Sequence, residues 1–289
     1  MLSVGTSFAA RLMAAAGTGL LVTSALMAFP ASSMAQGSEK TSSDTSKTSD
    51  TWVVTLGATV EYGPTYEGSK HYSFGVLPAF DFHRLGEAPE YSAPDDNFDY
   101  GLFDLGGLEI GPVVGFRDDR LDLDNLRLQS QRRVHWNLDA GGFAQYWLKD
   151  NQLRFRTEIR QSLWGGDGLV ADLALDWFQP VGDRWLLSAG PRLSLANTTY
   201  MRSNFGVSPN SQAVRSGRIS AFEADGGFKS VGVTVAATYS ISPEWSVQVY
   251  GKYNRLIGAA ADSPVTSRFG SPNQNIIGFT LNRTFNINF

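Results

Sequence analysis

The last fifteen residues of the chain, 275–289, read NIIGFTLNRTFNINF and alternate between two kinds of side chain. From Ile277 onward every second residue is apolar except Arg283, and the residues between them are glycine, threonine or asparagine. A period of two over this length indicates a long β-strand with one face in an apolar medium and the other facing water. Edge strands of soluble sheets rarely run so far without turn residues.

An apolar-out, polar-in strand that ends a chain on an aromatic residue resembles the terminal strand of bacterial outer-membrane barrels. Phe285, Ile287 and Phe289 are predicted to belong to the C-terminal strand by which such a barrel is inserted, with the barrel assembly machinery as a partner. Arg283 interrupts the apolar phase, and a lipid-facing Arg at the bilayer midplane costs about 2–4 kcal/mol. It is expected to snorkel, to lie near the headgroups, or to mark a bulge or a subunit contact.

The beginning of the chain has the pattern of an export signal. One charged residue precedes an apolar run over residues 12–29, which a proline ends, and Ser33 and Ala35 are the small residues that a signal peptidase reads. Residues 1–35 are therefore predicted to be a signal peptide, cleaved between Ala35 and Gln36. An N-terminal membrane anchor is the alternative, because the run is about long enough to span a bilayer.

Composition limits the classes of function that remain. Residues 36–51 (QGSEKTSSDTSKTSDT) carry no large apolar side chain and are predicted to be a flexible polar segment, followed by the barrel at 52–289. A net charge of −4 argues against nucleic acid as a partner, which requires a clustered basic patch. The absence of cysteine excludes a disulfide framework and a thiolate metal site.

Alternation continues within the chain, most clearly at residues 152–163. One phase is mainly apolar, and the other contains Arg154, Arg156, Glu158 and Arg160. Four charges on one face would be unfavourable in a dry sandwich core, whereas a water-filled barrel interior tolerates them. Residues 169–177 repeat the pattern, with Asp172 and Asp176 on the polar face. Other segments rich in β-forming residues are 52–62, 73–82, 108–116, 136–148, 185–196, 228–241 and 245–253, with a weaker one at 100–105 and an ambiguous one at 219–225.

Single-chain bacterial barrels have even strand numbers. The sequence therefore predicts an all-β fold, a transmembrane antiparallel up-and-down barrel of about twelve strands, with ten or fourteen also compatible. The connections cannot all be assigned to alternating sides, because 84–98 and 118–134 are both long.

The connections differ in length as barrels require, with short periplasmic turns and longer external loops. Short turns occur at 149–151, 182–183 and 242–244, and long polar loops at 118–134, 197–218 and 257–273. This indicates a location in the bacterial outer membrane, in contact with its lipid and lipopolysaccharide. Aromatic residues beside the short turns are predicted to form an interfacial girdle, the alternative being ordinary core anchors. They are Tyr146, Trp147, Trp177, Trp185, Tyr239 and Trp245.

Longer motifs occur in order over residues 52–289. They are YGPTYEGS at 62–69 with Leu77-Pro78, the run 153–175 with GGDGLVA at 165–171, LSAGP at 187–191, YM at 200–201, NFGV at 204–207, GFKSVG at 227–232, LIG at 256–258 and ADSP at 261–264. Together they resemble the MipA/OmpV family of MltA-interacting outer-membrane proteins. The connection 84–98 is longer than the one usual in that family.

The resemblance implies a non-enzymatic protein of the cell envelope without a cofactor. Family members are described as scaffolds that link a lytic transglycosylase, a murein hydrolase, to a peptidoglycan synthase of the penicillin-binding class during cell-wall remodelling. Others are linked to osmotic or antibiotic stress. The resemblance transfers no contact residue to this chain.

Candidate residues for chemistry are few. His71, His83 and His135 are widely separated and lack the paired spacing of a metal site. The acidic run Asp118, Asp119, Asp122 and Asp124 lacks the Gly and the distal Glu of an EF-hand loop, so it is predicted to be a solvated external loop, with weak divalent binding as the alternative. No metal ligand and no catalytic residue is predicted.

Two other functions remain open. A barrel lipid hydrolase would pair Ser69 or Ser73 with His71 as nucleophile and base. A narrow pore for small solutes is the other, although inward arginine and aromatic side chains leave little open bore in a barrel of this size.

Overall fold

Twelve antiparallel strands form one sheet that curves into a nearly closed barrel, as predicted. The computed structural model describes residues 51–85, 91–117, 137–149, 152–163 and 168–288. The strands are β1 Thr51–Pro64, β2 Tyr72–Arg84, β3 Phe98–Asp99, β4 Phe103–Asp104, β5 Leu108–Arg117, β6 Asn137–Lys149, β7 Leu153–Ser162, β8 Leu169–Val181, β9 Trp185–Ala196, β10 Gly227–Ser240, β11 Trp245–Leu256 and β12 Asn273–Asn288.

The first and last strands pair with each other. The register between β1 and β12 runs from Thr51 opposite Asn288 to Tyr62 opposite Ile277. The order around the sheet is β2-β1-β12-β11-β10-β9-β8-β7-β6-β5-β3, with β4 also on β5. The alternation of β12 supplies the reason for this central position, because one of its faces meets lipid and the other meets the interior.

Two of the predicted strand segments differ from the structure. Instead of one strand at 100–105, the structure has the two-residue strands β3 and β4, which lie along β5. A turn at Gly106 and Gly107 follows them. Both glycines have positive φ angles, of 68° and 90°, which L side chains rarely adopt. The ambiguous segment 219–225 is not a strand. Only Phe222 pairs there, in an isolated bridge with Val207.

The sheet ends at β2 and β3, and aromatic contacts span the gap between them. Phe82 stacks on Tyr100 with ring centroids 5.5 Å apart and an angle of 9° between the rings. Phe80 lies 6.2 Å from Phe98. Offset ring pairs of this kind stabilise contacts beyond the area they bury, so side chains join the two ends of the sheet at this seam.

The connection from β2 to β3 explains why the loops could not be assigned to alternating sides. Its residues 91–97, named here the interior segment, contact β7, β9 and β10 through Asp96 and Asp95. The opposite faces of these strands are apolar and exposed, so the contacts lie on the inner face of the barrel. The interior segment therefore lies inside the barrel, and this part of the long connection belongs to neither surface.

The outer face of the barrel is apolar over most of its circumference. Large side chains that alternate along the strands are exposed there, among them Phe74 at 73% and Ile277 at 63%. Exposed apolar belts of this extent are rare in soluble monomers. In an antiparallel barrel they match the lipid-facing band of a transmembrane barrel.

The long-loop end of the barrel is covered by packed loops. The two loops 197–226 and 257–272 contain the helices α1 Thr198–Phe205, α2 Gln212–Arg215, α3 Gly258–Asp262 and α4 Pro264–Ser267. The side chain of Asn197 caps α1 by accepting a hydrogen bond from the backbone N–H of Tyr200 at 2.9 Å. The prediction of polar loops was incomplete, since these loops bury Met201, Phe205 and Val265 in two apolar clusters.

The described helices are all short. None of them is both long enough and apolar enough to cross a membrane.

Candidate functional site

The inner face of β7 carries a ladder of charged side chains at alternate positions. Arg154 and Arg156 are 2% and 3% exposed, and Glu158 lies next to them on the same face. Alternation along a strand projects all of them into the barrel. The predicted inward phase of this strand is confirmed. The sequence predicted a water-filled interior around these arginines. In the structure, protein carboxylates surround them instead.

Arg154 is held by acids from two directions. Its guanidinium donates to Asp96 of the interior segment at 2.7 Å and to Asp176 of β8 at 3.1 Å. It also donates to the carbonyl oxygen of Tyr91 at 3.3 Å. A buried guanidinium is tolerated only with such partners, because desolvation of an unpaired charge is expensive.

Arg156 and Arg160 extend the same network toward the long-loop end. Arg156 donates to Asp99 at 2.5 Å and to Glu158 at 2.7 Å. Arg160 bonds Asp172, and its Nε lies 3.4 Å from Glu158. Glu158, which lies between the two arginines in sequence, thus compensates the charge of both.

The interior segment also reaches the far wall. Asp95 accepts from Nε and Nη2 of Arg192 on β9 at 2.7 and 2.9 Å, and from the hydroxyl of Thr234 on β10 at 3.0 Å. The same Arg192 lies 2.7 Å from Asp176, which connects it to Arg154. A single ionic network therefore joins the interior segment to β7, β8 and β9, and a hydrogen bond from Thr234 adds β10.

Aromatic rings pack beside the ionic network near the short-turn end. Phe178 is fully buried, with Tyr91 at 5.7 Å and Trp147 at 5.6 Å between ring centroids. The guanidinium of Arg154 lies over Phe178 at 5.2 Å. Trp147 therefore faces the interior, and its assignment to the girdle was wrong. The pairing register between β6 and β7 shifts next to Trp147, but the Trp147 side chain still points inward, in step with the other inward residues of β6.

The rest of the predicted girdle lies on the outer face. Tyr146, Trp177, Trp185 and Trp245 are exposed there, and Trp185 packs on Tyr239 with centroids 4.7 Å apart. All of them lie close to a short turn, which is where interfacial aromatic residues are enriched. This part of the prediction agrees with the structure.

The opposite half of the interior is lined mainly by hydroxyl and amide groups. Thr59 bonds Thr280 at 2.8 Å across the β1–β12 pair. Glu61 accepts from the hydroxyl of Tyr250 at 2.5 Å and from Lys252 at 3.1 Å. The extended ionic network therefore lies at β7 to β9, and the side at β11, β12 and β1, named here the polar side, carries hydroxyl groups and the ion pair of Glu61 with Lys252.

The loops at the other end are tied to the barrel rim by a second, smaller charged group. Glu67, in the β1–β2 loop, lies 2.8 Å from Nζ of Lys229 on β10 and accepts from the Tyr200 hydroxyl at 2.7 Å. Lys229 also lies over the Tyr200 ring at 5.1 Å. Two loops meet β10 at this group, which ties the loop-covered end of the barrel, named here the cap, to the barrel wall.

The residues suggested for lipid hydrolysis are not arranged for it. Ser69 is fully buried, and its hydroxyl bonds the backbone carbonyl of His71 at 3.1 Å and the Thr65 hydroxyl at 2.8 Å. Within the described ranges, no contact joins the imidazole of His71 to Ser69 or Ser73. His83 instead lies beside Asp81, at 3.6 Å.

Several predicted positions lie outside the described residues. They are the cleavage site at Ala35 and Gln36, the acidic run 118–124, His135 and Phe289. Phe285 and Ile287 are described, and they pair with Val54 and Trp52 on the lipid-facing side of β12. In the part of the chain that the structure describes, no group of three or more acidic or histidine side chains could hold a metal ion.

The interior segment is the functional element that sequence reasoning missed. Part of the evidence for it was present in the sequence. The inward faces of two strands carry four arginines, and those faces have too few acids to neutralise them. The acids lie in a long connection that contains Asp95-Asp96-Asn97. Nothing local in such a connection distinguishes a loop that enters the barrel from one that leaves it.

Comparison with known proteins gives one extended match. A family model described as MltA-interacting protein MipA matches residues 56–285. No curated protein matches the chain. The structure is similar to the COG4313 outer membrane channel from Pseudomonas putida F1, with 12% identity, a TM-score of 0.40, and coverage of 84% of this chain and 100% of that one. It is also similar to OmpT, an outer membrane protein of Vibrio cholerae, with 8% identity, a TM-score of 0.32, and coverage of 84% and 100%. These two likenesses are too distant to bear on function.

Proposed function

Because this chain belongs to the family of MltA-interacting proteins and folds as a barrel of the bacterial outer membrane, we propose that it is a non-enzymatic scaffold of the cell envelope. In this proposal it holds a lytic transglycosylase of the MltA class at the inner surface of the outer membrane. A peptidoglycan synthase of the penicillin-binding class is the second partner, so that murein cleavage and synthesis occur together.

The observation that carries the proposal is the filled interior. Four arginines of the barrel wall are neutralised by acids that include those of the interior segment, and the packed loops cover the long-loop end. A barrel stabilised in this way presents surfaces instead of a wide passage. By the rule that short turns face the periplasm, the turns before β7, β9 and β11 are the surface available to a periplasmic partner.

Two alternatives are less well supported. A pore would require the interior segment to leave the ionic network, and removing one partner of a buried ion pair costs about 3–5 kcal/mol. A lipid hydrolase would require Ser69 to give up its bonds to the backbone and to reach a base.

Binding should be tested with the purified barrel in nanodiscs and a soluble lytic transglycosylase of the MltA class. A photo-crosslinking residue placed at Asp183, in the β8–β9 turn, is expected to capture the enzyme. The same residue at Asn210, on the long-loop side, is the matched control and is expected to capture nothing. Adding the synthase should give a complex of all three proteins. Equal capture from both positions, or from neither, would contradict the proposed scaffold.

The enzymatic alternative needs a separate assay. Refolded protein incubated with radiolabelled phospholipid or lipid A is expected to release no acyl chains. Release that is abolished by His71→Ala would replace the scaffold with a hydrolase.

A further inference from the structure

Arg283 is the one charged residue in the lipid-facing phase of β12. It is exposed and lies opposite Leu56 of β1 and Trp245 of β11. Trp245 is the first residue of β11 after the short turn, and the backbone N–H of Thr284 donates to the carbonyl of Glu244 in that turn at 2.8 Å. Arg283 is therefore close to the short-turn interface, where the cost of a lipid-facing Arg falls to about 0–1 kcal/mol.

Two aromatic rings border the guanidinium. The Arg283 Cζ lies 5.2 Å from the ring centroid of Trp245 and 4.8 Å from that of Phe285. Both distances are within the range of cation–π attraction. Such contacts occupy the face of the guanidinium. Its N–H groups lie in the guanidinium plane and can still donate hydrogen bonds to an acceptor.

No acid of the described chain pairs with this arginine. The inward arginines Arg154, Arg156, Arg160 and Arg192 are all bound by carboxylates, several of them twice. Arg283 is thus an oriented, uncompensated cation on the outer wall, where the available acceptors belong to lipid.

The surface beside Arg283 is suited to acyl chains. From this residue toward the long-loop end, the outward positions of β12 are Leu281, Phe279 and Ile277, all exposed. Val249 pairs with Phe279 from β11, and Val60 pairs with it from β1. From Arg283 to Ile277 this strip of the strand advances about 20 Å at roughly 3.3 Å per residue, which is comparable to the length of a fatty acyl chain.

We propose that Arg283, with Trp245 and Phe285, forms a binding site for the phosphate of a phospholipid in the periplasmic leaflet of the outer membrane. The acyl chains lie along the strip of β12, and the guanidinium binds the phosphate oxygens through two N–H groups, as arginine commonly does. A headgroup without a competing ammonium is favoured, so phosphatidylglycerol binds more tightly than phosphatidylethanolamine. The site adjoins the turn before β11 but contains no residue of the turns proposed to bind a transglycosylase, and neither proposal depends on the other.

The test is native mass spectrometry of the full-length mature protein, released from micelles that contain phosphatidylglycerol or phosphatidylethanolamine. The wild-type barrel is expected to retain one phosphatidylglycerol, and Arg283→Gln to lower its retention about tenfold, as expected for the loss of a charge-assisted hydrogen bond. Arg283→Lys should restore part of the retention, because it keeps the charge without the fork of donors. Trp245→Leu should lower retention less than Arg283→Gln.

Arg184→Gln is the matched control. Arg184 is exposed in the β8–β9 turn and donates to the Tyr239 hydroxyl at 3.2 Å, so lipid retention should not change. The temperature-dependent gel shift of folded barrels would show that each variant is folded. Equal retention of phosphatidylglycerol by the wild type and Arg283→Gln would overturn the proposal. Arg283-dependent binding of inorganic phosphate without retention of either lipid would also overturn it.

Discussion

The carboxylate of Asp95 accepts two hydrogen bonds from the guanidinium of Arg192, at 2.7 and 2.9 Å, across 97 positions of sequence. One residue belongs to a connection between strands and the other to the barrel wall. The pair shows that the interior segment lies inside the barrel. It also makes the interior segment part of the same ionic network as Arg154 and Asp176.

The energetic coupling of this pair can be measured with a double-mutant cycle. We expect Asp95→Asn to lower the free energy of unfolding by about 1.5–3 kcal/mol, since it weakens charge-assisted bonds. Arg192→Gln should lower it by about 3–5 kcal/mol, because it leaves buried carboxylates short of a partner. The double variant should be less destabilised than the sum by about 0.5–3 kcal/mol. Urea unfolding in lipid vesicles measures all three values.

Asp183→Asn is the control for that cycle. Asp183 is exposed in a short turn, and surface changes of this kind stay within about 0.5 kcal/mol. Strict additivity of the two interior substitutions would mean that Asp95 and Arg192 do not interact in the folded protein.

Gly278 gives a test of packing on the polar side of the interior. A Cβ at this position would lie 2.0 Å from the Tyr250 ring, and Tyr250 donates to Glu61. Gly278→Ala should displace the ring and lower the free energy of unfolding by about 1–3 kcal/mol, the usual cost of overpacking. Gly251→Ala is the control, because its Cβ would find no atom closer than 3.8 Å. Equal midpoints of unfolding for the two variants would contradict this packing.

The cap at the long-loop end should depend on the pair formed by Glu67 and Lys229. Lys229→Met removes the ion pair with Glu67 and the contact with the Tyr200 ring. We expect faster proteolysis within the loops 197–226 and 257–272, while the strands stay protected. Arg202→Met is the control, since Arg202 is exposed and its nearest acid is 3.7 Å away. If both variants were cleaved at the wild-type rate, Lys229 would not hold the cap.

The period-two pattern was sufficient to predict the long strands, because each of them has to satisfy lipid on one side and the interior on the other. Residues 275–288 and 153–162 follow that rule closely. The pattern gave no information on what fills the interior. Trp147 was assigned to the lipid side because the sequence shows that it is close to a turn, whereas its neighbour Tyr146 faces lipid and successive strand residues face opposite sides.

The interior segment and the cap were missed for a different reason. Both depend on contacts between residues far apart in sequence, such as Asn97 with Glu158 at 2.7 Å and Glu67 with Tyr200. A polar loop that forms buried ion pairs has the same composition as one in solvent. Only the tertiary structure separates the two cases, and residues such as Asp95 could not be selected from the sequence.

The conductance of single barrels in planar lipid bilayers is the most direct test of a barrel closed by its own interior segment. The wild type should show little or no steady current. Replacing residues 91–97 with a Gly/Ser linker of equal length should produce steady channels that select for anions, because Arg154 of β7 loses Asp96 and Arg192 of β9 loses Asp95. Large steady currents from the wild type, or an unchanged conductance in the replacement variant, would contradict the account.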